Sequence, residues 1–420
     1  MKQHRRVVVL LLLAAALALV GLGQFYFFHR PDYVWDGVIF HGLAALALLL
    51  AWRRATARAR QARTTRPTAP RLRDWVTGWL AMATLMAAGL GLSYAATVLA
   101  LGRAWNQSTA GAVTLWLLAL GASLAAALWP ATIPPSSRWR PGAWLRGITR
   151  ETWLEIATVV GLTLLAGILR ITALESVPYV LGGDEAWFGL TARQVLSGEL
   201  RNPFRTAYVS MPTLFYWPLS WAMRLVGDGV AGLRLPAALV GTATVPALYL
   251  LARQLWGRRM AVLSAAFLAT YDYHIHYSRL GANNIWDPLF ALLTLWLVEL
   301  GLASTVERKR TRYFILAGIV MGLSAYFYTG ARLLPFLVLA YVAFAWIVKR
   351  VQAPRSEKTP ALGPPLVMFG LAFLVAGGPI LGFAISNPDD WNARLNQVGI
   401  IQSGWLAREP ALTGKSMVCL

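Results

Sequence analysis

The chain has 420 residues, of which 57% are hydrophobic and only 14% charged, against roughly a quarter charged in an ordinary soluble domain. Lys and Arg number 39 against 18 Asp and Glu, a formal net charge of +21. Such apolarity excludes a disordered chain and argues against a soluble globular enzyme. The basic excess then has two readings: a nucleic-acid surface, or basic loops sorted to one side of a membrane.

Taken in chain order, eleven apolar runs read as transmembrane helices, because only a helix satisfies every backbone group inside lipid. They lie near 7–28, 34–52, 75–101, 112–130, 153–174, 234–252, 260–277, 288–303, 313–329, 333–348 and 364–386. The expected fold is therefore all-α and polytopic. The first run follows Lys2, Arg5 and Arg6 and continues into Gln24-Phe25-Tyr26 with no small-x-small site, so it reads as an uncleaved anchor. The lone Cys419 excludes an intrachain disulfide.

The segment 208–226 decides the topology. It is apolar but carries Pro212, Pro218, Ser210, Ser220, Arg224 and many aromatics, which suits a helix lying at the interface. If it does not cross, the basic loops 53–73, 138–150, 253–259, 308–312 and 349–358 all share the side of the N-terminus. That side then holds 26 of the 39 Lys and Arg. If it crosses, the charge is nearly even. The expected protein is thus a multi-pass cell-membrane protein with a cytoplasmic N-terminus and no nucleic-acid partner. One long outer loop, 175–233, remains between the fifth and sixth spans. It is expected to hold short juxtamembrane helices and the chemistry. Residues 1–150 read as a four-span appendage with basic loops, 151–390 as the catalytic membrane module, and 391–420 as an outer tail.

The loop contains Gly182-Gly183-Asp184-Glu185, followed by a short helix that Gly198 ends. Asp184 can cap that helix. Two adjacent carboxylates beside a low-dielectric region are also candidates for general-base work. The outer face further offers Arg193, Arg234, Arg279 and Arg332 near span ends, and arginine forks suit phosphate oxygens. Arg279 and Asp287 are placed to pair with each other, and Arg170 near the end of the fifth span reads as snorkelling to the surface. His274 and His276, two residues apart, point away from each other on a helix and read as interfacial; no metal ligand set is assigned.

At these residues the chain resembles glycosyltransferase family 39, which includes protein O-mannosyltransferases and aminoarabinose transferases of lipid A and belongs to the GT-C superfamily. Asp184-Glu185 and its helix resemble that family's first outer loop. Met211-Pro212-Thr213-Leu214-Phe215-Tyr216-Trp217 is similar to its Lys-Pro-Pro-Leu-Tyr-Tyr-Trp stretch, with Met211 in place of Lys. Arg234-Leu235-Pro236, Tyr277-Ser278-Arg279-Leu280 before Asp287, and Tyr326-Phe327-Tyr328-Thr329-Gly330-Ala331-Arg332 resemble later elements. The likeness covers roughly 153–390. It implies a GT-C-like fold and transfer of a sugar from a polyprenyl-phosphate donor to an acceptor at the outer face, whether protein, lipid or glycan. Asp184 would be the base with Glu185 beside it. Arg193, Arg234, Arg279, Asp287, Tyr328 and Arg332 would bind substrate. No nucleotide or other cofactor is called for, and a divalent metal is left open. Two other readings stand beside it: a transporter or flippase of lipid-linked sugars, and a truncated lipid-binding homologue without turnover.

Overall fold

The computed structural model describes residues 72–129, 149–352 and 362–399, scattered positions among 11–47, and residues 403, 404 and 408. The expected spans 7–28 and 34–52 lie largely outside the described residues. Two compact units divide the chain. One comprises Met1–Pro70 with Gly404–Leu420 and includes the short apolar helix Ala14–Gly23. The other, Arg71–Ser403, carries everything discussed below. The division expected at residue 150 falls inside this second unit.

Its helices are α1 (Leu72–Leu101), α2 (Ala110–Leu128), α3 (Arg150–Ile171), α4 (Gly183–Ser197), α5 (Tyr216–Val226), α6 (Val230–Trp256) and α7 (Arg258–Thr270). They continue with α8 (Asp272–Ser278), α9 (Trp286–Ala303), α10 (Glu307–Ser324), α11 (Leu334–Gln352), α12 (Gly363–Ser386) and α13 (Pro388–Val398). Among the described residues the only β pairing is an isolated bridge between Thr206 and Pro212. The chain is thus an all-α membrane protein. Among the described residues, seven helical segments are long and apolar enough to cross a bilayer: Gly78–Leu101, α2, α3, α6, α9, Thr329–Val348 and α12.

The segment 208–226 does not join them. It folds as two 3-10 turns, Tyr208–Ser210 and Thr213–Phe215, followed by α5 of 11 residues. An 11-residue helix is about 16 Å long, too short for a hydrocarbon core of about 30 Å. Its composition explains the outcome: Leu219, Ala222 and Met223 are buried, while Trp221, Leu225 and Val226 stay exposed.

Two further helical segments run between the same two faces. The stretch 258–278 breaks at Tyr271 into α7 and α8. At its start Arg258 contacts the first turn of α3, and at its far end Arg279 contacts the last turn of α3. α10 opens on Glu307-Arg308-Lys309-Arg310-Thr311-Arg312 and ends at Ser324. One face therefore holds Arg253, Arg258 and the basic start of α10. The other, here called the site face, holds α4, α5, the starts of α6 and α9, and the turn before α11.

Packing follows small residues. Gly318 and Gly322, four apart on α10, rest on the backbone of α12 at Phe369 and Phe373, with no room for a Cβ at either. Close helix approach through paired glycines is the usual device where lipid supplies no hydrophobic drive. α1 and α2 join the same core: Ser93 donates to the Val375 carbonyl at 2.8 Å and the Trp116 indole to Ala376 at 2.9 Å. Gly322→Ala is expected to force overpacking costing about 1–3 kcal/mol, read as a lower melting temperature in detergent. Gly370→Ala, with nothing within 4 Å of the added carbon, is expected to leave it unchanged or raise it slightly, because alanine favours a helix over glycine.

Candidate functional site

The site is built from α4 upward. α4 starts after Gly182, whose carbonyl accepts from Ala186 at 2.9 Å, and ends at Gly198 in the left-handed conformation. The cap position therefore belongs to Gly182. Asp184 lies inside the first turn and is exposed, whereas Glu185 is buried. Adjacent helical positions differ by about 100° in direction, so one carboxylate faces in and the other out.

Glu185 is locked. Its Oε1 accepts from Arg234 Nε at 2.6 Å and from the Gly281 amide at 2.8 Å, and its Oε2 accepts from Arg234 at 3.0 Å. Arg234 sits at the start of α6 and is 1% exposed. Its remaining donors reach the carbonyls of Leu174, Pro178 and Val180 at 2.9, 2.8 and 3.3 Å. A guanidinium has five N–H donors, and here all five are engaged within the chain. Arg279 behaves alike. It donates to the carbonyls of Leu169, Thr172, Ala173 and Val177 at 2.6–3.2 Å. Burial and the neighbouring Arg234 lower its pKa below the usual arginine value. The expected Arg279–Asp287 pair is absent among the described residues, because the orphan carbonyls at the end of α3 occupy the guanidinium.

Asp287 instead lies in the first turn of α9 with Oδ1 buried and without a hydrogen-bond partner. Its carboxylate fills the space where Gly330 lacks a side chain, next to the Tyr328 ring. Burial and this carboxylate push the Tyr328 phenol up. Arg332, two residues beyond Gly330, stacks its guanidinium 3.9 Å from the Trp391 ring and donates to the Trp391 carbonyl at 2.7 Å. Its Nε is buried and unpartnered. Arg193 stands apart from these groups, in an exposed pair with Asp228 at 2.8 Å. The turn 279–287 thus links two constellations in sequence: the Glu185–Arg234–Arg279 lock, and the Asp287–Tyr328–Arg332 group.

Other residues complete the frame without a signal strong enough to single them out in the sequence. Asn283 donates to the Met211 sulfur and the Phe327 carbonyl, both at 2.9 Å. Met211, standing where the resembled family has Lys, is therefore an acceptor that fixes the 279–287 turn. Ser210, with φ of 65°, accepts from the Arg394 amide at 2.8 Å and docks α13. A polar pair, Asn283-Asn284, inside an apolar stretch was the available clue. Behind the site, Trp286 stacks on Phe327 at 4.3 Å, and Trp116 of α2 meets Phe204 and Tyr326 at 5.5 and 5.3 Å.

Arg170 does not snorkel. It is fully buried and donates to the Leu268 and Ala269 carbonyls, where α7 breaks, at 3.0 and 2.9 Å. It also meets His274 Nδ1 at 2.9 Å and the Ser278 hydroxyl at 3.3 Å. Inward carbonyls freed by the helix break outcompete the membrane surface for its charge. His274 is consequently a buried partner of arginine, and no cluster of three metal-ligand side chains occurs among the described residues.

Residues 210–353, about a third of the chain, match a family model described as dolichyl-phosphate-mannose-protein mannosyltransferase. No curated protein and no solved structure matches the chain. The matched stretch is similar to that family, and with the seven apolar segments it supports a multi-pass membrane glycosyltransferase of the GT-C type with a lipid-linked sugar donor. Arg234, Arg279, Asp287, Tyr328 and Arg332 lie inside the match; Asp184, Glu185 and Arg193 precede it.

Removing one partner of a buried, hydrogen-bonded ion pair costs roughly 3–5 kcal/mol. Glu185→Ala is expected to lose that much stability, seen as a large drop in melting temperature. Arg193→Ala breaks only an exposed pair and is expected to cost less than about 1 kcal/mol.

Proposed function

We propose that the protein transfers a sugar from a polyprenyl-phosphate donor to an acceptor hydroxyl at the outer face of the cell membrane, with the N-terminus cytoplasmic and Asp184 as general base. The observation that carries this reading is the division of labour in the first turn of α4. Glu185 is consumed by Arg234 and the Gly281 amide, so the adjacent Asp184 is held at a fixed place with its own oxygens free for a substrate proton.

The leaving group is a lipid phosphate, so the chemistry belongs at the membrane surface, and α4 sits on the site face at the end of α3. Transfer begins as the acceptor oxygen gives its proton to Asp184 and attacks the anomeric carbon. The bond to the carrier phosphate breaks, and the phosphate departs with that electron pair. A cation facing the phosphate stabilises the charge as it develops. Arg332 fits that part best, since its Nε lacks a partner. Asp287 and Tyr328 beside it are assigned to the sugar hydroxyls. Arg234 and Arg279 are assigned to positioning, because the donors of Arg234 are committed to Glu185 and three carbonyls and those of Arg279 to carbonyls alone. Arg193 at the rim remains a substrate contact only if the donor displaces Asp228.

Purified protein supplied with radiolabelled polyprenyl-phosphate sugars and candidate acceptors tests the reading. General-base catalysis is typically worth about 10²–10⁴-fold. Asp184→Asn is expected to lose transfer by that factor while keeping its melting temperature. Retained transfer would remove Asp184 from the chemistry. Donor movement across vesicles without a transferred sugar would favour a transporter.

A further inference from the structure

Between α3 and α4 the chain makes a loop, 172–181, with an unusual combination of features. Its second half turns apolar side chains outward: Val177, Tyr179, Val180 and Leu181 are 51%, 94%, 71% and 42% exposed. Its backbone turns inward. The carbonyls of Thr172, Ala173, Leu174, Val177, Pro178 and Val180 all accept from Arg234 or Arg279. The chain reverses at Ala173, in the left-handed region with φ of 54°, and Ser176 and Val177 donate back to the Ala173 carbonyl. A loop meant for water has no need to surrender six carbonyls to buried cations.

Irregular backbone is excluded from lipid because its polar groups would go unpaired. Here that objection is largely removed, since two guanidinium groups satisfy the carbonyls from beneath. The loop also continues directly from α3, a helix long and apolar enough to cross the bilayer, on which Leu164, Ile168 and Ile171 are exposed. Glu175 is the only charged residue between 172 and 181. Tyrosine with aliphatic neighbours is the composition of the headgroup boundary.

We infer that loop 172–181 is a membrane-interface anchor, inserted at the level of the lipid headgroups with Tyr179, Val180 and Leu181 against the upper acyl chains. The partner is the bilayer itself. This placement fixes the height of α4, since Leu181 is three residues before Asp184. It holds whether or not the chain transfers a sugar.

The test uses the full chain in lipid nanodiscs. Cys419 is replaced by Ser, and an environment-sensitive nitrobenzoxadiazole dye is attached at Tyr179→Cys. The same dye at Leu164→Cys on α3 serves as the membrane reference. Melting temperatures of the unlabelled variants check that both fold. The expected result is blue-shifted emission at 179 and quenching by a nitroxide on an upper acyl carbon several-fold stronger than quenching by iodide. Water-like emission with iodide quenching dominant would overturn the inference. So would a dye that enters an apolar environment only when a soluble acceptor is added, because the loop would then be a lid over the site.

Discussion

The forked contact between Glu185 and Arg234 is the constraint on which the site face depends. It joins the first turn of α4 to the start of a membrane-crossing helix, and through Gly281 it reaches the turn that leads into α9. A buried ion pair is not in itself a source of stability, because desolvation of the two charges offsets most of their attraction. Its value here is geometric. Arg234 has one arrangement that satisfies five donors, and that arrangement requires α4, the 172–181 loop and α6 to be in place together.

Arginine serves three times as an organiser of backbone. Arg234 and Arg279 gather carbonyls after α3, and Arg170 gathers those at the break between α7 and α8. The planar fork with five donors suits this work better than the single ammonium of lysine. The sequence holds 34 Arg against 5 Lys, a ratio that composition alone left without meaning. At least part of it reflects guanidinium groups that pair broken or ended helices inside a low-dielectric region. The same commitment leaves fewer arginines for a substrate phosphate than their number suggests.

Hydropathy made the seven long apolar helices legible, and the prolines and aromatics of 208–226 marked a segment whose helix is too short to cross. The adjacent acids were legible too. Their separation into a locked and a free carboxylate was not, because it depends on which face of α4 meets Arg234. Arg170 was misread, and the Arg279–Asp287 pairing was not found, for a related reason: sequence shows a charge's neighbours along the chain, and only tertiary structure shows carbonyls competing for it. The packing of α1 and α2 on α12 was likewise invisible. It rests on small residues such as Gly378, close to Ser93, which carry no periodic signal of their own.

Arg170 also bears on how the molecule is assembled. Four of its five contacts lie 98 to 108 residues later in the chain. When α3 enters the membrane during synthesis, none of them exists. At that stage the guanidinium has only the Ala166 carbonyl one turn back as a partner. Its other donors are satisfied only after α7 and α8 have been made and the broken helix has closed over it. The ordering of this region is thus set in time as well as in space, with an early helix finished by a late one.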